Sequence, residues 1–251
     1  PPFSIALPGI TIKVGRHQTK GLSVVDHPNQ REPILNAPRA VSSLVGVLVG
    51  FHVILYYLLP DHYFSMVMIK LAYFPARYVH TEALLFDPIA TLLSPVGYTL
   101  IHGSWLHLMV NCGMLLAFGS ALARVVGDGY FYFVYCLGAL AGAATMTAVD
   151  PQSITPVIGA SGAVSALLGG VAALTLKYRH NHGGPFINQQ RTITFIVFWL
   201  IINVVFGMVP GEYFGVNGRI AWEAHLAGFI LGLALPFMVP PPRKHNCLLC
   251  T

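Results

Sequence analysis

The stretch Val157-Ile158-Gly159-Ala160-Ser161-Gly162-Ala163-Val164-Ser165-Ala166, followed closely by Gly169-Gly170, carries no charge and is built from small and aliphatic residues. Further on, Ala224-His225-Leu226-Ala227-Gly228-Phe229-Ile230-Leu231-Gly232 has the same character. Small side chains at this spacing let helix backbones approach closely in a bilayer, and packing by itself accounts for the glycines. It does not account for the serine or the histidine. Ser161 lies inside Gly159-Ala160-Ser161-Gly162, and His225 is an ionisable ring near the start of its own apolar run. Ionisable groups at membrane depth are costly and are functional candidates by default.

Composition identifies the solvent. Of 251 residues, 55% are hydrophobic and 9% charged, and mean hydropathy is +0.66; soluble domains carry about 25% charged residues. A spanning helix needs roughly 20 mainly apolar residues. Six segments meet that need, at about 41–59, 105–124, 129–148, 158–176, 192–209 and 221–239, which predicts an all-α polytopic membrane bundle. The first begins too deep in the chain for an ordinary cleaved signal peptide.

The net charge of +5 is no nucleic-acid signal, because in a membrane protein the placement of Lys and Arg matters more than their sum. With the N-terminus inside, the inner segments hold Lys13, Arg16, Lys20, Arg31, Arg39, Arg124, Lys177, Arg179, Arg191, Arg243 and Lys244. Only Lys70, Arg77 and Arg219 fall outside. This bias predicts six spans with both termini inside. The expected organisation is a cytoplasmic tail over 1–40, the bundle over 41–239 and a second cytoplasmic tail over 240–251.

Cys112 and Cys136 fall in predicted spans, where a thiol behaves as a small hydrophobe. Cys247 and Cys250 form a CxxC on the inner side, two of the four ligands of a structural zinc. It reads as a reduced tail rather than a metal or redox site. Residues 60–100 are the one long connection, interrupted by Pro60, Pro75, Pro88 and Pro95. A connection of that length without clear secondary structure is uncommon and often functional. Its apolar segment, Phe64 to Phe74, is too short to span and suits the interface, with its backbone satisfied by short helices or water.

The second span opens His102-Gly103-Ser104-Trp105-Leu106-His107-Leu108-Met109-Val110-Asn111. At 100° per residue, His107 and Asn111 share a helix face, whereas His102 lies about 140° from His107. The expectation is therefore that His107 and Asn111 present donors to one point while His102 braces the loop. Polar residues gluing helices together would look similar. Topology adds the decisive point: the second, fourth and sixth spans all run from outside to inside. His102, His107, Asn111, Ser161 and His225 then share a depth below the outer surface. Ser161 suits a nucleophile, His225 its general base, and His107 with Asn111 the donors to a developing oxyanion. Glu223 is two residues from His225 and points elsewhere, and Asp150 lies in a loop, so the reading is a Ser–His dyad without a carboxylate.

This constellation resembles the rhomboid family of intramembrane serine proteases. The resemblance rests on His102-x4-His107-x3-Asn111, on Gly159-Ala160-Ser161-Gly162, and on Trp222-x-Ala224-His225-x2-Gly228-x3-Gly232, in family order over about residues 41–239. It implies Ser161 and His225 as the catalytic dyad. His107, Asn111 and the Ser161 backbone N–H would form the oxyanion hole, and His102 would stabilise a long first loop partly sunk in the membrane as a hairpin of helices. The implied reaction is hydrolysis of a peptide bond in or beside the transmembrane segment of another, single-span membrane protein, with no metal or nucleotide. The six-span core resembles bacterial inner-membrane members most, with the site opening to the periplasmic side. Four positions depart from the family pattern: Leu93-Ser94 stands where many members carry Trp-Arg, Ser165 where many have a Tyr that stacks on the histidine, and Ala123 in place of a common Glu.

Two other readings compete. A non-catalytic relative that binds membrane clients would generally lack the serine or the histidine, and both are kept here. A proton or ion transporter would use the histidines as a relay and show inverted repeats with broken helices, which the sequence lacks.

Overall fold

The computed structural model describes residues 4–7, 10–13, 37–80, 82, 87–177, 189–208 and 220–240, and the chain divides into two units, Pro1–Asn36 and Ala37–Thr251. In the first unit, β1 (Ser4–Leu7) pairs antiparallel with β2 (Ile10–Lys13), with Ser4 opposite Lys13 and Leu7 opposite Ile10. The intervening Pro8-Gly9 is a turn-forming dipeptide. Part of the expected tail is therefore a hairpin. Cys247 and Cys250 lie outside the described residues.

Among the described residues the regular structure of the second unit is helical, apart from one isolated bridge between Tyr73 and Val157. Its helices are α1 (Arg39–Leu58), α2 (Asp61–Leu71), α3 (Pro88–Gly97), α4 (Trp105–Val126), α5 (Asp128–Val149), α6 (Ser161–Lys177), α7 (Gln189–Met208) and α8 (Trp222–Met238). A helix thus stands at each of the six apolar segments. By length and apolarity, α1, α4 and α5, with 20, 22 and 22 residues, suffice to cross a bilayer, whereas α6, the Ile193–Val205 part of α7, and α8 are shorter. At 1.5 Å per residue a 17-residue helix such as α6 or α8 reaches about 26 Å, somewhat under a hydrocarbon core of roughly 30 Å. Large apolar side chains point outward, among them Leu58, Leu92, Met109, Ile201 and Phe237. That is the surface a lipid solvent favours.

The centre of the bundle is α6, in which every residue from Gly162 to Gly170 is buried. A helix surrounded on all sides has no polar face, so its sequence shows no amphipathic stripe. Close approach of α8 depends on two glycines. A Cβ on Gly228 would collide with the Gly162 carbonyl, and one on Gly232 with the Ala166 carbonyl. Both pairs step four residues along each helix, so α6 and α8 run parallel. At the far end Lys177 Nζ donates to the Pro236 carbonyl of α8 at 2.9 Å. The core continues into α4 and α5 through Leu108, Leu115, Leu122, Phe131, Val134 and Leu167. Ala123 is part of this apolar core.

The described residues of the long connection are largely helical rather than irregular. Pro88 starts α3, where its missing N–H is no loss, and Asp87 Oδ1 accepts from Ala90 N at 3.0 Å as the N-cap. Lys70 Nζ meets Asp87 Oδ2 at 2.7 Å, and this neighbour holds the Asp87 carboxyl below its ordinary range. Arg77 donates to the Ile69 carbonyl at 2.7 Å, where α2 ends, and to Ser94 Oγ at 3.2 Å. Tyr78 OH donates to the Thr91 carbonyl at 2.7 Å and lies 2.7 Å from Ser94 Oγ. Ser94 is fully buried. The small hydroxyl of Ser94 thus receives Arg77 from the preceding turn.

Candidate active site

Ser161 is the first residue of α6, and the backbone leading into it is pinned on both sides. Tyr73 and Val157 exchange backbone hydrogen bonds of 3.1 and 2.8 Å, and Gly159 N donates to the Tyr98 carbonyl at 3.0 Å. Gly159 has φ +109°, a conformation that side chains disfavour. A Cβ there would also lie 2.6 Å from His107 Nε2. The imidazole of His107 therefore rests directly against the backbone two residues before the serine.

His225, on the first turn of α8, reaches Ser161 across the glycine contact. Its Nε2 lies 2.6 Å from Ser161 Oγ. Its Nδ1 lies 2.8 Å from Asn203 Oδ1 on α7. Asn203 is buried, and its Nδ2 donates to the Trp199 carbonyl one turn back at 2.9 Å. Trp199 in turn packs against Phe229, ring centroids 4.9 Å apart. The pairs 203–225 and 199–229 step in opposite senses along the two helices, so α7 and α8 are antiparallel at this contact.

The histidines of α4 differ from the helical-wheel expectation. That helix begins at Trp105, with Ser104 Oγ accepting from His107 N at 3.2 Å as its N-cap, so His102 is not on the helix and the 140° separation does not apply. The rings of His102 and His107 meet edge to face, 5.0 Å apart. His102 is fully buried, with its Nδ1 3.4 Å from the Leu100 carbonyl. Behind it sits His52 of α1, buried and packed edge-on against Trp105 at 4.7 Å. Sequence reading passed over His52. Asn111 is buried, but its Nδ2 donates to the His107 carbonyl of its own helix at 2.9 Å. Its Oδ1 has no partner among the described residues. The fold thus joins Ser161 to His225 and sets His107 beside Gly159, while Asn111 is tied one turn along to the backbone of His107.

Two further points separate structure from sequence. Ser165 Oγ donates back to the Ser161 carbonyl at 2.7 Å, so it offers nothing to the His225 ring. Asn203 does contact that ring, and sequence reading missed it. The available signal was an amide in the middle of Trp199-Leu200-Ile201-Ile202-Asn203-Val204-Val205; a search for ionisable groups in spans does not catch a neutral one. No group of three or more His, Cys, Asp or Glu suited to a metal ion occurs among the described residues.

Apolar helices that bury two amides beside a half-buried serine and histidine, and expose aliphatic side chains, define an integral membrane protein of the helical-bundle class. Residues 90–242, more than half of the chain, match the rhomboid domain model, and the chain belongs to the rhomboid family. It is 26% identical over 139 residues to RHOMBOID-like protein 5 of Arabidopsis thaliana, a match covering 55% of this chain and 41% of that protein. It is 27% identical over 155 residues to the putative rhomboid protease YdcA of Bacillus subtilis, covering 62% and 69%. Rhomboid-related protein 2 of Mus musculus is 27% identical over 148 residues, covering 57% and 47%. The match spans less than half the length of the Arabidopsis and mouse proteins.

Proposed function

We propose that this chain is an intramembrane serine endopeptidase that cleaves peptide bonds in or beside transmembrane segments of single-span membrane proteins. The observation that carries the reading is the 2.6 Å contact between Ser161 Oγ and His225 Nε2. That is the distance at which a neutral imidazole accepts the serine proton as the oxygen attacks.

In this mechanism Ser161 Oγ adds to the carbonyl carbon of the scissile bond and its proton passes to His225 Nε2. The tetrahedral oxyanion is met by the Ser161 backbone N–H at the start of α6, by His107 and by Asn111. His225 then protonates the leaving amine and an acyl ester remains on Ser161. Water attacks the ester, His225 takes its proton, and the carboxylate product departs as Ser161 is restored. The Nδ2 of Asn111 carries a second proton beyond the one given to His107, which suits it to donate when an oxyanion forms. A helical substrate hides its carbonyls in hydrogen bonds, so it unwinds locally before attack.

The topology that fits is six spans with both termini inside, α4, α6 and α8 entering from the outer face. Supporting it are the excess of Lys and Arg on the inner connections and the common level of Ser161, His107 and His225 at the first turns of parallel helices. In a bacterium the site would open to the periplasmic face of the inner membrane.

The test is reconstituted protein on a panel of single-span substrates, with a serine-directed phosphonate as covalent probe. Wild type cleaves and is labelled, and Ser161→Ala and His225→Ala do neither. Equal behaviour of all three sinks the reading. Binding of substrates without cleavage or labelling by wild type would favour a client-binding relative instead.

A further inference from the structure

We infer that Asn203 is the positioning residue of the site, fixing His225 in the one neutral tautomer that can accept the serine proton; this rests on the endopeptidase reading above. The argument follows the protons. Asn203 Nδ2 donates to the Trp199 carbonyl at 2.9 Å, and the opposite amide orientation would set two acceptor oxygens against each other. Asn203 Oδ1 therefore faces His225 Nδ1 at 2.8 Å, and an oxygen can only accept. The Nδ1 atom must be the donor. A neutral imidazole with its proton on Nδ1 has its lone pair on Nε2, which is the atom 2.6 Å from Ser161 Oγ. The chain of donors runs Ser161 to His225 to Asn203, with the last amide anchored to its own helix.

Packing reinforces the geometry. Trp199 against Phe229, one turn along both helices from the Asn203–His225 pair, fixes the α7–α8 spacing. Nothing stacks on the imidazole from the position of Ser165, whose hydroxyl is turned onto the Ser161 carbonyl. The amide of α7 is the group bonded to the far side of the ring. A neutral amide also suits a buried site, since a carboxylate there would need a compensating charge.

The experiment compares wild type, Asn203→Ala and Asn203→Asp as full chains in micelles or liposomes. Nitrogen-15 histidine spectra read the His225 tautomer, and kcat, KM and their pH profile read its use. Wild type is expected to hold the proton on Nδ1. Asn203→Ala is expected to mix the two tautomers and lower kcat by about tenfold or more at nearly unchanged KM. Asn203→Asp keeps the acceptor and recovers turnover over Asn203→Ala. A carboxylate beside the imidazole favours the cation, so the acidic limb of kcat/KM moves up by about 1 unit or more. His107 of α4 also acts electrostatically on His225, and it is unchanged in both variants. A wild-type Nε2–H tautomer, or Asn203→Ala with wild-type tautomer and kcat, overturns the inference. So does a loss of kcat that tracks a lowered melting temperature with the tautomer unchanged. An Asn203-dependent Nδ1–H tautomer in a protein that neither cleaves nor labels keeps the positioning role and removes the protease reading.

Discussion

Ser161 Oγ and His225 Nε2 stand 2.6 Å apart although 64 residues separate them in the chain. The contact exists because Gly228, one turn along α8 from His225, lets that helix rest directly on the Gly162 carbonyl of α6. Widening that helix contact by even a methyl group would part a hydrogen bond that tolerates only a few tenths of an ångström.

Gly228→Ala and Gly232→Ala test this dependence. Each adds a Cβ against a backbone carbonyl of α6, which no rotamer change relieves. Each is expected to cost about 1–3 kcal/mol of stability and to lower turnover more than stability alone explains. Thermal melting together with phosphonate labelling rates checks it, and unchanged labelling would contradict the coupling.

Gly159→Ala combines a φ of +109° with a Cβ 2.6 Å from His107 Nε2. The strain is expected to exceed about 1 kcal/mol, and displacement of His107 to reduce kcat at least about tenfold. Gly113→Ala serves as control, since no atom lies within 4 Å of the added Cβ. It is expected to leave kcat near wild type.

Asn111→Ala removes the amide that donates to the His107 carbonyl. The expected result is a fall in kcat of about 10–1,000-fold with the melting temperature nearly unchanged. Loss of the fold with no specific effect on kcat would make Asn111 helix glue.

Arg77→Ala removes two hydrogen bonds, to Ile69 and Ser94, that hold α2 and α3 together. Because the group is partly exposed, about 1 kcal/mol is expected, or roughly 2–4 °C in Tm. Limited proteolysis within residues 60–100 should accelerate. Arg77→Lys is expected to rescue little, since one ammonium does not reproduce a planar fork.

Asp87→Asn separates the charge of Asp87 from its cap. The carboxyl is held low chiefly by the hydrogen bond from Lys70, so its contribution is present above the ordinary carboxyl range and is lost as pH falls through the depressed folded value. Melting temperatures of wild type and variant are expected to differ at neutral pH and to converge in acid, below the ordinary carboxyl range. A difference that persists in acid would assign the effect to capping of Ala90.

Much of this protein is legible in its sequence because a bilayer is a demanding solvent. Unpaired backbone groups are so costly in lipid that long apolar runs must be helical, and helices stand at all six segments read from composition. Ser161 and His225 also stand out along the chain, since polar groups among aliphatic and glycine residues need a reason. Proximity through space was beyond one-dimensional reading. The angle assigned between His102 and His107 assumed a helix that begins only at Trp105, and the rings prove to be neighbours. Likewise, only the folded loop brings Arg77 and Tyr78 together on Ser94. Asn203 became a partner of His225 only when α7 was laid antiparallel on α8. Local chemistry fixed which segments are apolar helices and which side chains are out of place in them. Tertiary packing alone decided which of them meet, because a hydrogen bond depends on the register of helices far apart in sequence.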